Sequence, residues 1–295
     1  VQANGNTLVA VGGAVTIDTL VSLDLANNEV LNFLGDNDIE FTNDVTLTRA
    51  AAAVILRVID PDQTVTFSGV IGEGIYGASG IQKSGRGVLE LTAANTYSGT
   101  TTINTGGGTL LLSGAGSILN SNAVTINVDG VLKLDNSTAV TNRLNDVVNL
   151  TNSGRLHLVG NAGADVTERI GILTAASSVD TEVVIENPSA AGAFDTVLAA
   201  NLVSTAVANP IRFIGDGADA TSATLSATGG TRFELDDTPA SLINGIIPQF
   251  TVYNAVSGRL DLATLESNAA GVAIVALPAS AYVTDINQAG PLSNV

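Results

Sequence analysis

Apolar and polar side chains alternate along this chain in short bursts, the period of a strand with one face buried. The clearest burst is a phrase, Gly-x-Leu-x-Leu, which recurs. It stands at Gly87-Val88-Leu89-Glu90-Leu91, Gly108-Thr109-Leu110-Leu111-Leu112, Gly130-Val131-Leu132-Lys133-Leu134, Gly154-Arg155-Leu156-His157-Leu158 and Gly258-Arg259-Leu260-Asp261-Leu262, with a looser relative over 230–235. The residue between the leucines is Glu90, Leu111, Lys133, His157 or Asp261, polar in all but one case, so the Leu pair is predicted to face a core and the middle residue water. The glycine before each phrase suits a corner that needs a positive φ. Further strand-like runs are Ala14–Asp18, Val45–Thr48, Val54–Ile59, Thr64–Ser68, Thr100–Asn104, Val124–Val128, Val147–Thr151, Glu182–Glu186, Ile211–Ile214 and Val272–Leu277, separated by Asn, Asp, Gly and Ser turns. No stretch shows a convincing helical period with caps.

The first four phrases begin 21, 22 and 24 residues apart, at 87, 108, 130 and 154. Solenoid repeats are about 20–50 residues long, and a spacing in the low twenties accommodates two or three short strands with their corners. Short strands with frequent turns also fit a sandwich or a closed barrel. The recurring phrase, its near-constant spacing and the scarcity of large rings favour a coil, in which each aliphatic side chain packs on its equivalents above and below. The expectation is an all-β parallel β-helix (β-solenoid). It forms one continuous unit over 1–295, most regular over 64–175 and with more irregular coils over 176–295.

Composition narrows the class. Of 295 residues 45% are hydrophobic, but only 4% are aromatic and none is Trp, which leaves Val, Ile, Leu and Ala to fill the core. Mean hydropathy of +0.36 argues against disorder. A formal charge of −17, from 11 basic and 28 acidic residues, repels phosphates and anionic lipid, so neither nucleic acid nor membrane is an expected partner. Without Cys there are no disulfides, thiolate chemistry or zinc–sulfur sites. The longest apolar stretch, Ala50 to Leu56, falls far short of the roughly 18 residues of a membrane span. No leader-like segment is present, so the chain reads as a processed product or as part of something longer.

One succession of residues is recognisable. Thr66-Phe67-Ser68-Gly69-Val70-Ile71-Gly72 is followed by Gly80-Ile81-Gln82-Lys83-Ser84-Gly85-Arg86-Gly87. Then come Leu91-Thr92-Ala93-Ala94-Asn95-Thr96-Tyr97-Ser98-Gly99, Thr100-Thr101-Thr102-Ile103-Asn104 and Gly107-Gly108-Thr109-Leu110. Over about fifty residues this closely resembles the autotransporter-associated β-strand repeat of bacterial surface proteins. Segments 158–174, 244–254 and 284–287 look similar, more loosely, to the spacers between such repeats. The resemblance implies a right-handed parallel β-helix, exported and displayed on or released from a bacterial cell surface. No run of alternating strands resembling a membrane-barrel domain closes the chain.

Candidate chemistry is sparse. The single histidine, His157, takes the outward position of its strand and reads as a solvated surface residue. Asp236-Asp237 is the one adjacent acidic pair to weigh for glycosidic chemistry, which needs two carboxylates across a groove. Neighbouring carboxylates diverge, aromatics are few and basic residues lie scattered, so no enzymatic activity is expected. Calcium is the one cofactor to consider, at turns carrying Asp36 and Asp38, Asp60 and Asp62, and Asp216 and Asp219. None has a complete calcium-loop spacing, and capping of their own turns explains them more simply. The expected role is an extracellular structural rod or fibre element. It would self-associate head-to-tail, or stack on flanking repeats of a longer chain, because neither 1–4 nor 292–295 offers a polar cap for an open sheet end. The alternative is an adhesin with a cell-surface or glycan ligand, for which Tyr76 and Phe250 to Tyr253 are the places to look.

Overall fold

A computed structural model describes residues 2–3, 6–25, 29–48, 53–75, 77–176, 181–189, 193–205, 210–217, 225–226, 230–236, 246–254, 258–268 and 271–278. It is an all-β parallel β-solenoid, and there is no helix among the described residues. One face is a parallel ladder of β2 (Thr7–Val9), β5 (Val30–Leu34), β8 (Ala53–Val58), β11 (Gly80–Ser84), β13 (Thr101–Ile103), β15 (Val124–Ile126), β17 (Leu150–Asn152), β19 (Val166–Ala175), β21 (Thr196–Thr205) and β23 (Thr231–Leu235). The second face contains the Leu-x-Leu phrases. It runs through β3 (Val15–Ile17), β6 (Ile39–Phe41), β9 (Thr64–Phe67), β12 (Val88–Leu91), β14 (Gly108–Leu112), β16 (Gly130–Asp135), β18 (Arg155–Val159), β20 (Thr181–Asn187), β22 (Ile211–Gly217) and β24 (Ile246–Asn254). A short third face, β4 (Val21–Leu23), β7 (Val45–Leu47) and β10 (Ile71–Glu73), serves the first coils only.

Register turns the sequence repeat into a core. Leu89, Leu110, Leu132 and Leu156 are successive ladder partners and all are buried, as are Leu91, Leu112, Leu134 and Leu158 beside them. Each leucine removed from water contributes about 2 kcal/mol, and a parallel ladder places its equivalent one strand spacing, about 4.8 Å, away. Rings gather towards the two ends of the stack. Phe41 lies on its ladder partner Phe67 with centroids 4.5 Å apart and planes 2° from parallel, and Phe213 meets Phe233 at 4.7 Å and Phe250 at 5.3 Å. The middle coils are aliphatic apart from the buried Tyr97.

The phrase glycines are needed for closeness more than for φ. Gly108 and Gly258 have φ +60° and +65°, but Gly87, Gly130 and Gly154 are not in the left-handed region. A Cβ on Gly87 would lie 2.3 Å from the Asp60 carbonyl oxygen, and one on Gly154 would lie 2.3 Å from that of Gly130. At these corners one coil's backbone presses on the next, and only the absence of a side chain permits it.

The two ends differ. β25 (Arg259–Asn268) and β26 (Gly271–Ala276) form an antiparallel hairpin. β25 pairs with β24, and β26 pairs with β23. The last strands of both long ladders are thus joined across the end of the coil. Ala263 and Ile274 are fully buried beneath this crossing. The fifth Leu-x-Leu phrase therefore departs from expectation: it begins β25, outside the parallel ladder, with Leu260 52% and Leu262 37% exposed. A covering element also exists where none was anticipated, upstream of the chain end. At the other end, β1 (Gln2–Ala3) pairs antiparallel with β2, while β3 and β4 have a strand partner on one side only among the described residues.

Candidate functional site

The acidic turns stack on one corner. Asp36 and Asp38 lie between β5 and β6, and Asp60 and Asp62 occupy the equivalent corner of the next coil. Their oxygens serve the turns. Asp38 Oδ1 accepts the Thr64 N–H at 2.7 Å, Asp60 Oδ1 accepts the Asp62 N–H at 3.0 Å, and Asp36 Oδ1 accepts from Asn37 Nδ2 at 2.9 Å. Asp216 is exposed at the end of β22 beside its ladder partner Glu186, far along the chain from these corners. Asp219 lies outside the described residues. Among the described residues no group of three or more His, Cys, Asp and Glu is arranged to hold a metal ion.

Charged columns cover the outer surface of the second face. His157 is less exposed than its outward position suggested: its side chain is 18% accessible and Nε2 lies 3.1 Å from Glu186 Oε2. Burial lowers its pKa, as do Lys133 and Arg155, against the opposing pull of Glu186. One column over, Glu182 is the ladder partner of both Arg155 and Arg212 and forms an ion pair with each. Asp236 is held in a two-bonded pair by Arg169, at 2.6 and 3.0 Å, which engages one half of the Asp236-Asp237 pair. Asp237 and Tyr76 lie outside the described residues. Phe250 and Val252 are buried in the core, so of that candidate segment only Thr251 and Tyr253 reach the surface in part.

The polar groups that do most to shape the molecule are buried ones that sequence reasoning passed over. The longest corner among the regular coils runs from Asn136 to Asn149, between β16 and β17. It is fixed by Arg143 and Glu168, both fully buried. The Arg143 guanidinium donates to the carbonyls of Gly116 (2.7 Å), Gly114 (3.2 Å), Ala139 (3.2 Å) and Asp135 and to Asn136 Oδ1 (3.1 Å). The Glu168 carboxylate accepts the backbone N–H groups of Arg143 and Leu144 at 3.1 and 2.8 Å. Burial raises the Glu168 pKa to about 7, against the pull of those two donors and of the guanidinium. Lys83 is the second buried cation. Its ammonium donates to the carbonyls of Ser84, Gly85 and Gly107 at 2.9, 2.8 and 2.6 Å, while burial lowers its pKa to about 7. Strand parity held the signal for both: Glu168 alternates in phase with Val166 and Ile170, and Lys83 with Ile81.

Two residues of the Asn-Thr-Tyr-Ser-Gly segment also point inward. Asn95 accepts the Ile71 N–H at 2.8 Å and donates to the carbonyls of Ala93 and Ser117, linking three successive coils. Tyr97 is fully buried and hydrogen-bonds Thr101, which bonds Ser121 in turn. This tyrosine is therefore structural. What remains on the surface beside the long corner is a shallow concavity of about 370 Å³, lined by Leu119, Asn120, Asn122, Asn145 and Val147 among others. Val147 is 71% exposed, and Val140 on the same corner 47%. Amides and the Ser98 and Ser121 hydroxyls beside aliphatic surface can hydrogen-bond hydroxyl groups and cover an apolar ring face.

No family model, curated protein or solved structure matches the chain.

Proposed function

We propose that the chain is a non-catalytic, extracellular structural element: a length of β-solenoid rod at a bacterial cell surface, which stacks on further coils, either flanking repeats of a longer chain or another copy. One observation carries this reading. The N-terminal rung leaves the β3 and β4 edges without a second strand partner among the described residues, and its core residues Val15, Ile17 and Val21 stay only partly buried. Their ladder partners one coil on, Ile39, Phe41 and Val45, are at most 2% exposed. An apolar rung with open edges is what one coil presents to another. The charge of −17 suits a surface that repels its neighbours sideways and associates only at an end. Small-angle scattering of the purified chain should show an elongated particle of single-coil cross-section, and labelling of intact producing cells with a membrane-impermeant reagent should reach it. A spherical particle, or protection from the reagent, would remove the reading.

The second reading, an adhesin, is favoured by the concavity at Val147, where a buried Arg and Glu hold an exposed apolar corner in place. A neutral glycan fits its amide and aliphatic lining. Retention of the protein on a glycan array, lost on Val147→Asp, would support it; binding unaffected by that change would not.

A further inference from the structure

One strip of the outer surface differs from the rest in what its side chains do. On the first face, Thr102, Thr125, Thr151 and Thr174 are successive ladder partners on β13, β15, β17 and β19, paired without a register shift. All four alternate with buried neighbours and are partly exposed. Threonine suits strands in any case, so the residue type alone signifies little. Two observations set the strip apart. First, residues 100–104, 123–127, 149–153 and 172–176 include no charged side chain, on a chain whose net charge is −17. The second face carries Lys133, Arg155, His157 and Glu182 on the ladder beside these coils. Second, hydroxyls elsewhere on the surface are spent on carboxylates: Thr66 and Ser113 donate to Glu90, Ser68 to Glu40 and Thr42 to Asp18. The four stacked threonines make no side-chain hydrogen bond to any described residue. Their flanks are held in place, since Asn127 Nδ2 donates to the Ile103 carbonyl at 3.0 Å and Asn149 Oδ1 accepts the Ile172 N–H at 3.1 Å.

We propose that this strip is a binding surface for ice. Unspent hydroxyls, each with its methyl group beside it, recur at one strand spacing, about 4.8 Å, close to the repeat of water oxygens in the ice lattice. Threonine is stiff at χ1 and the ladder fixes its strand, so little side-chain freedom is lost when water orders between the methyls and bonds the hydroxyls. An ice surface is neutral and periodic, and so is the strip. Charged side chains would keep their own hydration shells and disturb that lattice; these four rungs have none. Other neutral partners fit less well. The strip measures roughly 15 Å each way by strand dimensions, far less than the about 800 Å² that a stable protein interface buries on each side. A sugar ring is held well by the apolar face of an aromatic side chain, and the strip has no aromatic residue. The inference gives the flank of the rod a function of its own and does not depend on how the ends are joined.

The intact chain tests this directly. As an ice front grows slowly through a dilute solution, the protein should enter the ice severalfold more than an unrelated acidic protein of similar size. It should also slow the coarsening of small ice crystals. Thr125→Lys with Thr151→Lys should remove both effects while leaving the sheet circular dichroism and Tm unchanged. Leu111→Lys, a change at a partly exposed position of the second face, should leave both effects intact. Exclusion of the wild-type chain from ice overturns the proposal and needs no variant to fold. Ice entry that survives the double change in a folded chain, or that Leu111→Lys abolishes equally, overturns it too. If the lysines unfold the coil, Thr151→Val removes one hydroxyl at nearly constant volume and should weaken ice entry; unchanged entry counts against the strip. Retention on crystalline cellulose or chitin, lost on the double change and unaccompanied by ice entry, would assign the strip to a neutral polysaccharide and overturn the ice assignment. The scattering shape of the chain reports separately on the rod reading.

Discussion

Glu168 titrates far above the ordinary carboxylate range because it is wholly enclosed. The folded chain therefore holds a proton that the unfolded chain has released between about pH 4.5 and 7. Its contribution is complete below that window and is lost as pH rises through about 7, a change on the order of 3 kcal/mol. Urea denaturation at pH 5 and pH 8 should show this fall, and Glu168→Ala should flatten the difference between the two while lowering stability at both. Gly85 gives a cleaner steric case. Its φ is +75°, and an added Cβ would lie 2.1 Å from the Val58 carbonyl oxygen. Gly85→Ala should cost more than about 2 kcal/mol in the same measurement. Calcium gives the opposite expectation. With Asp38 and Asp60 already accepting backbone N–H groups, excess calcium against chelator should leave Tm within a degree or so, and a rise of several degrees would reassign that corner.

Between elements, the same phrase has two fates. Leu132 is buried between Leu110 and Leu156, whereas Leu262 is 37% exposed on the hairpin. Leu132→Ala should destabilise by about 2–5 kcal/mol through lost burial and the cavity left behind, while Leu262→Ala should stay below about 1 kcal/mol. Thermal or urea melts of the two single variants make the comparison directly. A large effect at Leu262 would mean that the last phrase packs as another rung. The long corner behaves as one unit for a related reason: Arg143 ties it to carbonyls before and within it, and Glu168 ties it to the following coil.

For the molecule as a whole, the acidic balance is the dominant long-range term. A charge of −17 leaves the molecule strongly acidic, although Arg155–Glu182–Arg212 shows local compensation. Added salt should therefore raise Tm as repulsion is screened over roughly 10 Å at 0.1 M. A Tm that falls on going from low salt to about 0.3 M would show that the ion-pair columns outweigh the repulsion.

The alternation of Leu-x-Leu and the spacing in the low twenties are local properties, and by themselves they determined the solenoid, its strand faces and most of its core. Period and burial are coupled residue by residue, so reading one reveals the other. The ends were decided elsewhere. Gly258-Arg259-Leu260-Asp261-Leu262 has the same local pattern as four true rungs, yet it runs antiparallel, because strand direction depends on what edge is left to pair and not on the phrase itself. Likewise Arg143 looked like any scattered basic residue; only the fold brings the carbonyls of Gly114, Gly116, Asp135 and Ala139 around it. Groups brought together across coils have no signature in a single stretch of chain, since their contact is made by the stacking.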